Sequence, residues 1–125
     1  MRDGGGLRQV LVIDDDDELA KVVREALRDS GYSVATARHG AAALELVRHT
    51  SPDVILLDLT MPIMDGWSFV SQYRRGAKSG ARIVLLTANS HAPDIAQSLG
   101  ADGFIAKPFA LDDLVKIVAL QMPAS

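Results

Sequence analysis

Residues 53–66 read D-V-I-L-L-D-L-T-M-P-I-M-D-G. Four apolar residues, Val54 to Leu57, run directly into a carboxylate at Asp58. Such a run is too short for a helix that must bury itself, and its lack of alternation points to a strand covered on both faces. Asp58 then falls at the carboxyl end of the strand, where an open parallel sheet places its ligands. Pro62 and the Asp65-Gly66 pair predict a tight turn in which Gly66 tolerates a positive φ. A helix is predicted from about Trp67 to Arg75. A carboxylate on a rigid strand tip, above a short loop, suits a nucleophile or a metal ligand.

Upstream, Val10 to Ile13 is apolar at every position and reads as a central strand. Four aspartates follow, Asp14 to Asp17. Part of this run belongs to a helix N-terminus, where acids accept hydrogen bonds from free N–H groups and oppose the positive end of the dipole. Asp15 with Glu18 has capping-box spacing, and Asp16 could cap instead. Asp14 belongs to the strand end. Adjacent carboxylates repel by about 4 kcal/mol at 4 Å with an effective dielectric near 20. A divalent cation would reverse that repulsion, so Asp14 and Asp15 are read as metal ligands, and Asp16 and Asp17 as capping or solvent-facing.

The same reading predicts a helix from about Asp17 to Ser30, with Leu19, Val22, Val23, Ala26 and Leu27 buried and Lys21, Arg24, Glu25 and Arg28 in water. Gly31 stops it. A short strand, Ser33 to Ala37, and a helix, Ala41 to His49, come next. Beyond the Asp58 segment lie a strand from Arg82 that ends on Thr87, a short helix from Pro93 to Leu99, and a strand from Gly103 that ends on Lys107. The last helix runs from Leu111 to about Met122, with Leu111, Leu114, Val115 and Val118 on its inner face.

At 125 residues the chain is expected to form one domain. Residues 1–7 read as a loose tail and 8–123 as the folded unit, with no effector domain beside it. There are no cysteines, which excludes disulfides and thiolate metal sites. A net charge of -3 argues against nucleic acid and anionic membrane as direct partners. No apolar run is long enough to span a bilayer, and the N-terminus has no signal-peptide core. A cytoplasmic location is expected.

Apolar strands alternating with helices predict a parallel sheet with helices on both faces. All strand ends then share one edge, which carries Asp14, Asp15, Asp58, Thr87 and Lys107. Alternation leaves the strand order open.

The segment D-L-T-M-P-I-M-D-G resembles the phosphorylation-site signature of the CheY-like receiver domain of two-component response regulators. The resemblance extends from Val10 to the last helix and includes L-L-T-A at Thr87 and A-K-P-F at Lys107. It implies a flavodoxin-like (βα)5 three-layer sandwich with a five-stranded parallel sheet of order 2-1-3-4-5, which brings Asp14, Asp15 and Asp58 together. The resemblance makes Asp58 the phospho-acceptor, and Asp14 and Asp15 the acidic pair that binds metal with Asp58 and the Thr60 carbonyl. It further implies that Thr87 is the switch hydroxyl, Lys107 the active-site lysine before a cis proline, and Phe104 the switch aromatic.

Three carboxylates suit Mg²⁺, and a carboxylate can attack phosphorus to form an aspartyl phosphate. The implied partners are a histidine kinase or a histidine phosphotransfer protein, with a downstream protein target on the face of the fourth helix, fifth strand and fifth helix. The implied role is a phospho-accepting switch that assists its own phosphorylation and dephosphorylation rather than an enzyme acting on other molecules. Thr60 and Asn89 stand where the family varies residues that tune phosphoryl lifetime. Neither is a strong acid, so unusually fast self-dephosphorylation is not expected.

Two other readings are weaker. A hydrolase of the haloacid dehalogenase type would want D-x-D where Asp58-Leu59-Thr60 stands. A phosphorylation-independent interaction module would not need the intact set of site residues. The remaining features have ordinary explanations. Trp67 reads as packing. His39, His49 and His91 lack metal-ligand spacing. Arg74, Arg75, Lys78 and Arg82 read as a solvated edge.

Overall fold

A computed structural model of the chain describes residues 7–59, 63–76 and 80–123. Among the described residues, strands and helices alternate. The strands are β1 (Gln9–Ile13), β2 (Ser33–Ala37), β3 (Val54–Asp58), β4 (Arg82–Thr87) and β5 (Gly103–Ala106). The helices are α1 (Asp17–Asp29), α2 (Gly40–Val47), α3 (Ile63–Arg75), α4 (Ala92–Leu99) and α5 (Leu111–Gln121). The strands form one parallel sheet of order β2-β1-β3-β4-β5. This is the flavodoxin-like arrangement that the resemblance implied.

Every residue of β3 is buried, and β4 is buried from Ile83 onward. The two faces carry separate cores. Leu11, Ile13, Ile55, Leu57, Ile83 and Leu85 pack with Phe69, Val70 and Tyr73 of α3, and with side chains of α2 and α4. Val10, Val12, Val54, Leu56, Val84 and Leu86 pack with Val23 and Leu27 of α1 and with Leu114 and Val118 of α5. Alternate residues of β1, β3 and β4 thus feed opposite layers, which is why these strands lack a polar face. No helix among the described residues is long and apolar enough to cross a membrane.

Several local readings need correction. First, α3 starts at Ile63, not Trp67, so Gly66 lies inside the helix. Positive φ occurs at Gly31 and Gly100 instead. Gly66 serves close approach: a Cβ there would lie 3.1 Å from Cδ2 of Leu59. Packing of α3 on the strand end overrides the turn preference of the Asp-Gly pair. Second, α1 buries Ala20, Val23 and Leu27, whereas Val22 is 44% exposed. Positions 20, 23 and 27 share one helical face, and the small Ala20 side chain lets that face sit on the sheet. Third, Leu111 opens α5 at the exposed end of its first turn rather than lining the inner face. Fourth, Arg24 is half-buried rather than wholly in water, while Trp67, expected to be core or half-buried packing, is 38% exposed and so lies outside the core. Thr60 and Lys78 lie outside the described residues.

Tyr73 stacks on Phe69, with ring centroids 5.8 Å apart, and its hydroxyl accepts a hydrogen bond from Ala81 N at 3.0 Å. Burial pushes the Tyr73 hydroxyl pKa up. Tyr73→Phe leaves the apolar packing but strands a buried N–H. A loss of about 1–3 kcal/mol in urea unfolding is expected. An unchanged midpoint would show that the Ala81 N–H finds another acceptor.

Candidate functional site

The carboxyl edge of the sheet collects the polar strand ends. Asp14 directly follows β1, and its N–H donates to the Ala37 carbonyl at 2.9 Å, so its backbone continues the ladder with β2. The side chain turns back, and Asp14 Oδ1 accepts from Asp16 N at 2.9 Å. Asp16, not Asp15, is the N-cap of α1. Its Oδ1 accepts from Glu18 N and Leu19 N, each at 3.1 Å. The four aspartates therefore divide by position. Asp14 is buried at the strand tip, Asp15 is exposed beside it, Asp16 caps, and Asp17 opens the helix.

Asp58 ends β3 and is wholly buried. Carboxylate oxygens of Asp14, Asp15 and Asp58 lie within 4.8 Å of one another. Lys107 follows β5 and its Nζ donates to Asp58 Oδ1 at 2.8 Å. The same Nζ is 3.9 Å from Asp14 Oδ2. The Lys107–Pro108 peptide is cis.

Three acids and one lysine leave the centre electron-rich. Burial, then the neighbouring Asp58 carboxyl, pushes the pKa of Asp14 up from 3.8 to about 7. Asp14 Oδ2 is buried and accepts no hydrogen bond. An orphaned buried oxygen among three carboxylates fits a small hard cation, whose ligands are oxygens. Asp14, Asp15 and Asp58 are the residues that could hold it.

Thr87 ends β4 and is buried. Its Oγ1 accepts from Asn89 N at 3.0 Å, which leaves the hydroxyl proton available to donate elsewhere. Asn89 Oδ1 in turn accepts from His91 N at 2.8 Å. Parallel pairing sets Thr87 opposite Ala106, and Lys107 N donates to the Thr87 carbonyl at 2.8 Å. Phe104, two residues before Ala106 on the edge strand, is 38% exposed. The structure thus gathers Asp14, Asp15, Asp58 and Lys107 into one centre and sets Thr87 beside Lys107 on the adjoining strand.

The histidines stay outside this centre. His39 Nδ1 accepts from Ala42 N and caps α2, His49 contacts Glu45, and His91 is exposed. Arg74 donates to the Gly100 carbonyl at 2.9 Å, which ties α3 to the end of α4. One residue at the edge escaped the sequence reading. Arg38, the first residue after β2, places Nε 3.2 Å from Asp17 Oδ1. Its position directly after a strand was the only signal available.

Residues 10–119 match the family model of the response regulator receiver domain. Transcriptional regulatory protein PrrA of Mycobacterium leprae is 40% identical over 109 residues, covering 86% of this chain and 46% of that protein. The chain therefore spans about half the length of this curated relative. The fold is similar to the chemotaxis protein CheY4 of Vibrio cholerae, with a TM-score of 0.85, 31% identity and coverage of 94% of this chain and 100% of that one. It is also similar to response regulator protein TrrA of Thermotoga maritima in complex with Mg²⁺-BeF. That comparison gives a TM-score of 0.80 and 32% identity over 93% of this chain and 100% of the other. The acidic centre at the sheet edge, the strand order around it and these similarities together place the chain in the response regulator receiver domain family.

Proposed function

We propose that Asp58 accepts a phosphoryl group from a histidine kinase or a histidine phosphotransfer protein. The observation that carries this reading is the Lys107–Asp58 contact of 2.8 Å inside a cluster of three carboxylates. A carboxylate oxygen of Asp58 attacks phosphorus. An O–P bond forms, and the bond from phosphorus to the donor breaks with its electron pair leaving on the donor. The barrier is largely electrostatic, because two anions must meet.

Lys107 meets part of that need and holds one Asp58 oxygen in place. Mg²⁺ is the cation that fits Asp14, Asp15 and Asp58, with the Thr60 carbonyl as a further proposed ligand; when bound it would neutralise these carboxylates and take phosphoryl oxygens. TrrA, a similar protein, has been captured with Mg²⁺-BeF. The Thr87 hydroxyl then donates to the new phosphoryl group. Doing so gives up the hydrogen bond from Asn89 N, and the shift of Thr87 makes room for Phe104 to turn inward. The α4-β5-α5 face changes shape, and a partner reads the change only if it binds the two forms unequally.

The proposed unit is residues 8–123, acting in the cytoplasm. Its net charge of -3 speaks only to direct DNA contact by these residues. PrrA is a transcriptional regulatory protein about twice as long. MtrA of Mycolicibacterium smegmatis, 38% identical over 117 residues, is a DNA-binding response regulator. By analogy the downstream target is a DNA-binding region, which is compatible with these residues making no direct nucleic-acid contact.

The test is intact-protein mass after incubation with acetyl phosphate, with and without Mg²⁺, beside beryllofluoride binding. Gain of one phosphoryl group that requires Mg²⁺ is expected. Absence of both phosphoryl gain and beryllofluoride binding would leave a phosphorylation-independent module. The switch has its own test. Beryllofluoride with Mg²⁺ should shift the Phe104 resonances strongly in the wild type, and by less than half as much in Thr87→Ala. Equal shifts in the two proteins would disconnect Thr87 from Phe104.

A further inference from the structure

Five consecutive acids start in the centre itself with Asp14 and Asp15 and run on through Asp16 and Asp17 to Glu18 in the first turn of α1. In the described loops of this edge the lysine and arginine charges are Lys107 and Arg38. Lys107 is already committed to Asp58 and is 15% exposed. Arg38 is the outer cation. β2 lies two strands from β3, so the Arg38 backbone stands roughly 10 Å from that of Asp58. Its guanidinium is turned outward onto Asp17 at 3.2 Å, and the two side chains are 69% and 70% exposed. An ion pair this exposed is weak and opens readily.

We propose that Arg38 is a specificity-determining residue that favours small, highly charged anionic phosphodonors, and that Asp17 restrains it. The inference rests on Asp58 being the phospho-acceptor. An incoming donor of the acyl phosphate class carries two negative charges past an acidic rim. A released guanidinium, on a side chain rooted roughly 10 Å from Asp58, lowers that repulsion, and its influence fades once salt shortens the Debye length to a few ångströms. Donors with less negative charge gain less. A donor delivered on a protein surface is steered by its own contacts and depends little on Arg38.

Phosphorylation rates decide the matter. Wild type, Arg38→Ala, Arg38→Glu and Asp17→Asn are compared with acetyl phosphate and with phosphoramidate, which carries less negative charge. Each donor is used at low ionic strength and in 0.5 M salt. With acetyl phosphate at low ionic strength, Arg38→Ala should slow the reaction about three- to fivefold and Arg38→Glu about tenfold. Asp17→Asn should speed it about two- to threefold. All differences should shrink with phosphoramidate and vanish in 0.5 M salt.

Equal rates for the four proteins at low ionic strength overturn the proposal. So does a loss that persists in salt and is the same for both donors, since that would be a structural defect. If the wild type gains a phosphoryl group from neither donor, the reading of Asp58 falls and this inference falls with it. A wild type that reacts beside indifferent variants removes the Arg38 role alone.

Discussion

Asp58→Asn is expected to abolish phosphoryl incorporation from acetyl phosphate, a loss of at least about a thousandfold. The substitution keeps size and shape but removes the nucleophilic carboxylate, and loss of a nucleophile is among the largest single-residue effects in group transfer. Its amide oxygen can still accept from Lys107, which now donates to Asp58 Oδ1 at 2.8 Å. The fold should therefore persist, and urea unfolding serves as the control. Removing the Asp58 charge also relieves Asp14, which Asp58 pushes toward its neutral form. The metal-free variant should thus be more stable than the wild type at pH 8. Intact-mass measurement reads the first effect and denaturation the second. Phosphoryl gain that survives in Asp58→Asn would move the acceptor to another acid, with Asp14 and Asp15 the nearest candidates.

The second large effect concerns pH. Burial and the neighbouring Asp58 push the Asp14 pKa in the folded protein from the ordinary 3.8 up to about 7. Because the folded state holds this proton more tightly, its contribution is fully present below pH 3.8. It is lost progressively as pH rises through about 7, where the folded protein must ionise a buried acid beside another carboxylate. At about 1.4 kcal/mol per pH unit the upper bound on this loss is about 4 kcal/mol. Metal-free wild type should therefore be less stable at pH 8 than at pH 5. Asp14→Asn stays neutral throughout and should flatten the profile, making the variant the more stable protein at pH 8. Mg²⁺ should restore the wild type at pH 8 by binding the folded state, and should do so far less in the variant. Urea midpoints at the two pH values, with and without Mg²⁺, check this. Parallel profiles for the two proteins would assign the pH dependence to other groups.

Much of the site was legible because parallel strands bury both faces. An unbroken apolar run such as Val54 to Leu57 can hardly be anything but a covered strand, and the first polar residue after it marks the functional edge. Asp14, Asp58, Thr87 and Lys107 were all found by that rule. Local signals served less well where packing opposed them. Asp65-Gly66 looks like a turn, yet Gly66 lies inside α3, where a Cβ would press on the Leu59 side chain at 3.1 Å. Val22 and Leu111 look like core residues, but their burial depends on the rotation of α1 and on where the first turn of α5 falls.

By itself the sequence determined the alternation of elements, which polar residues stand at the strand ends and, through the receiver signature, the family. Only the tertiary structure decided which strand ends meet at contact distance. Lys107 and Asp58 are 49 residues apart in the chain, and their 2.8 Å bond exists because β3 and β5 flank β4 in the sheet. The raised pKa of Asp14 likewise has no counterpart in residue spacing, since burial and a neighbour from another strand produce it. The Arg38–Asp17 pair follows the same logic. Covalent neighbours fix which charges the chain carries, but the electrostatics of the site depends on distance and solvent exclusion, which only the folded chain defines.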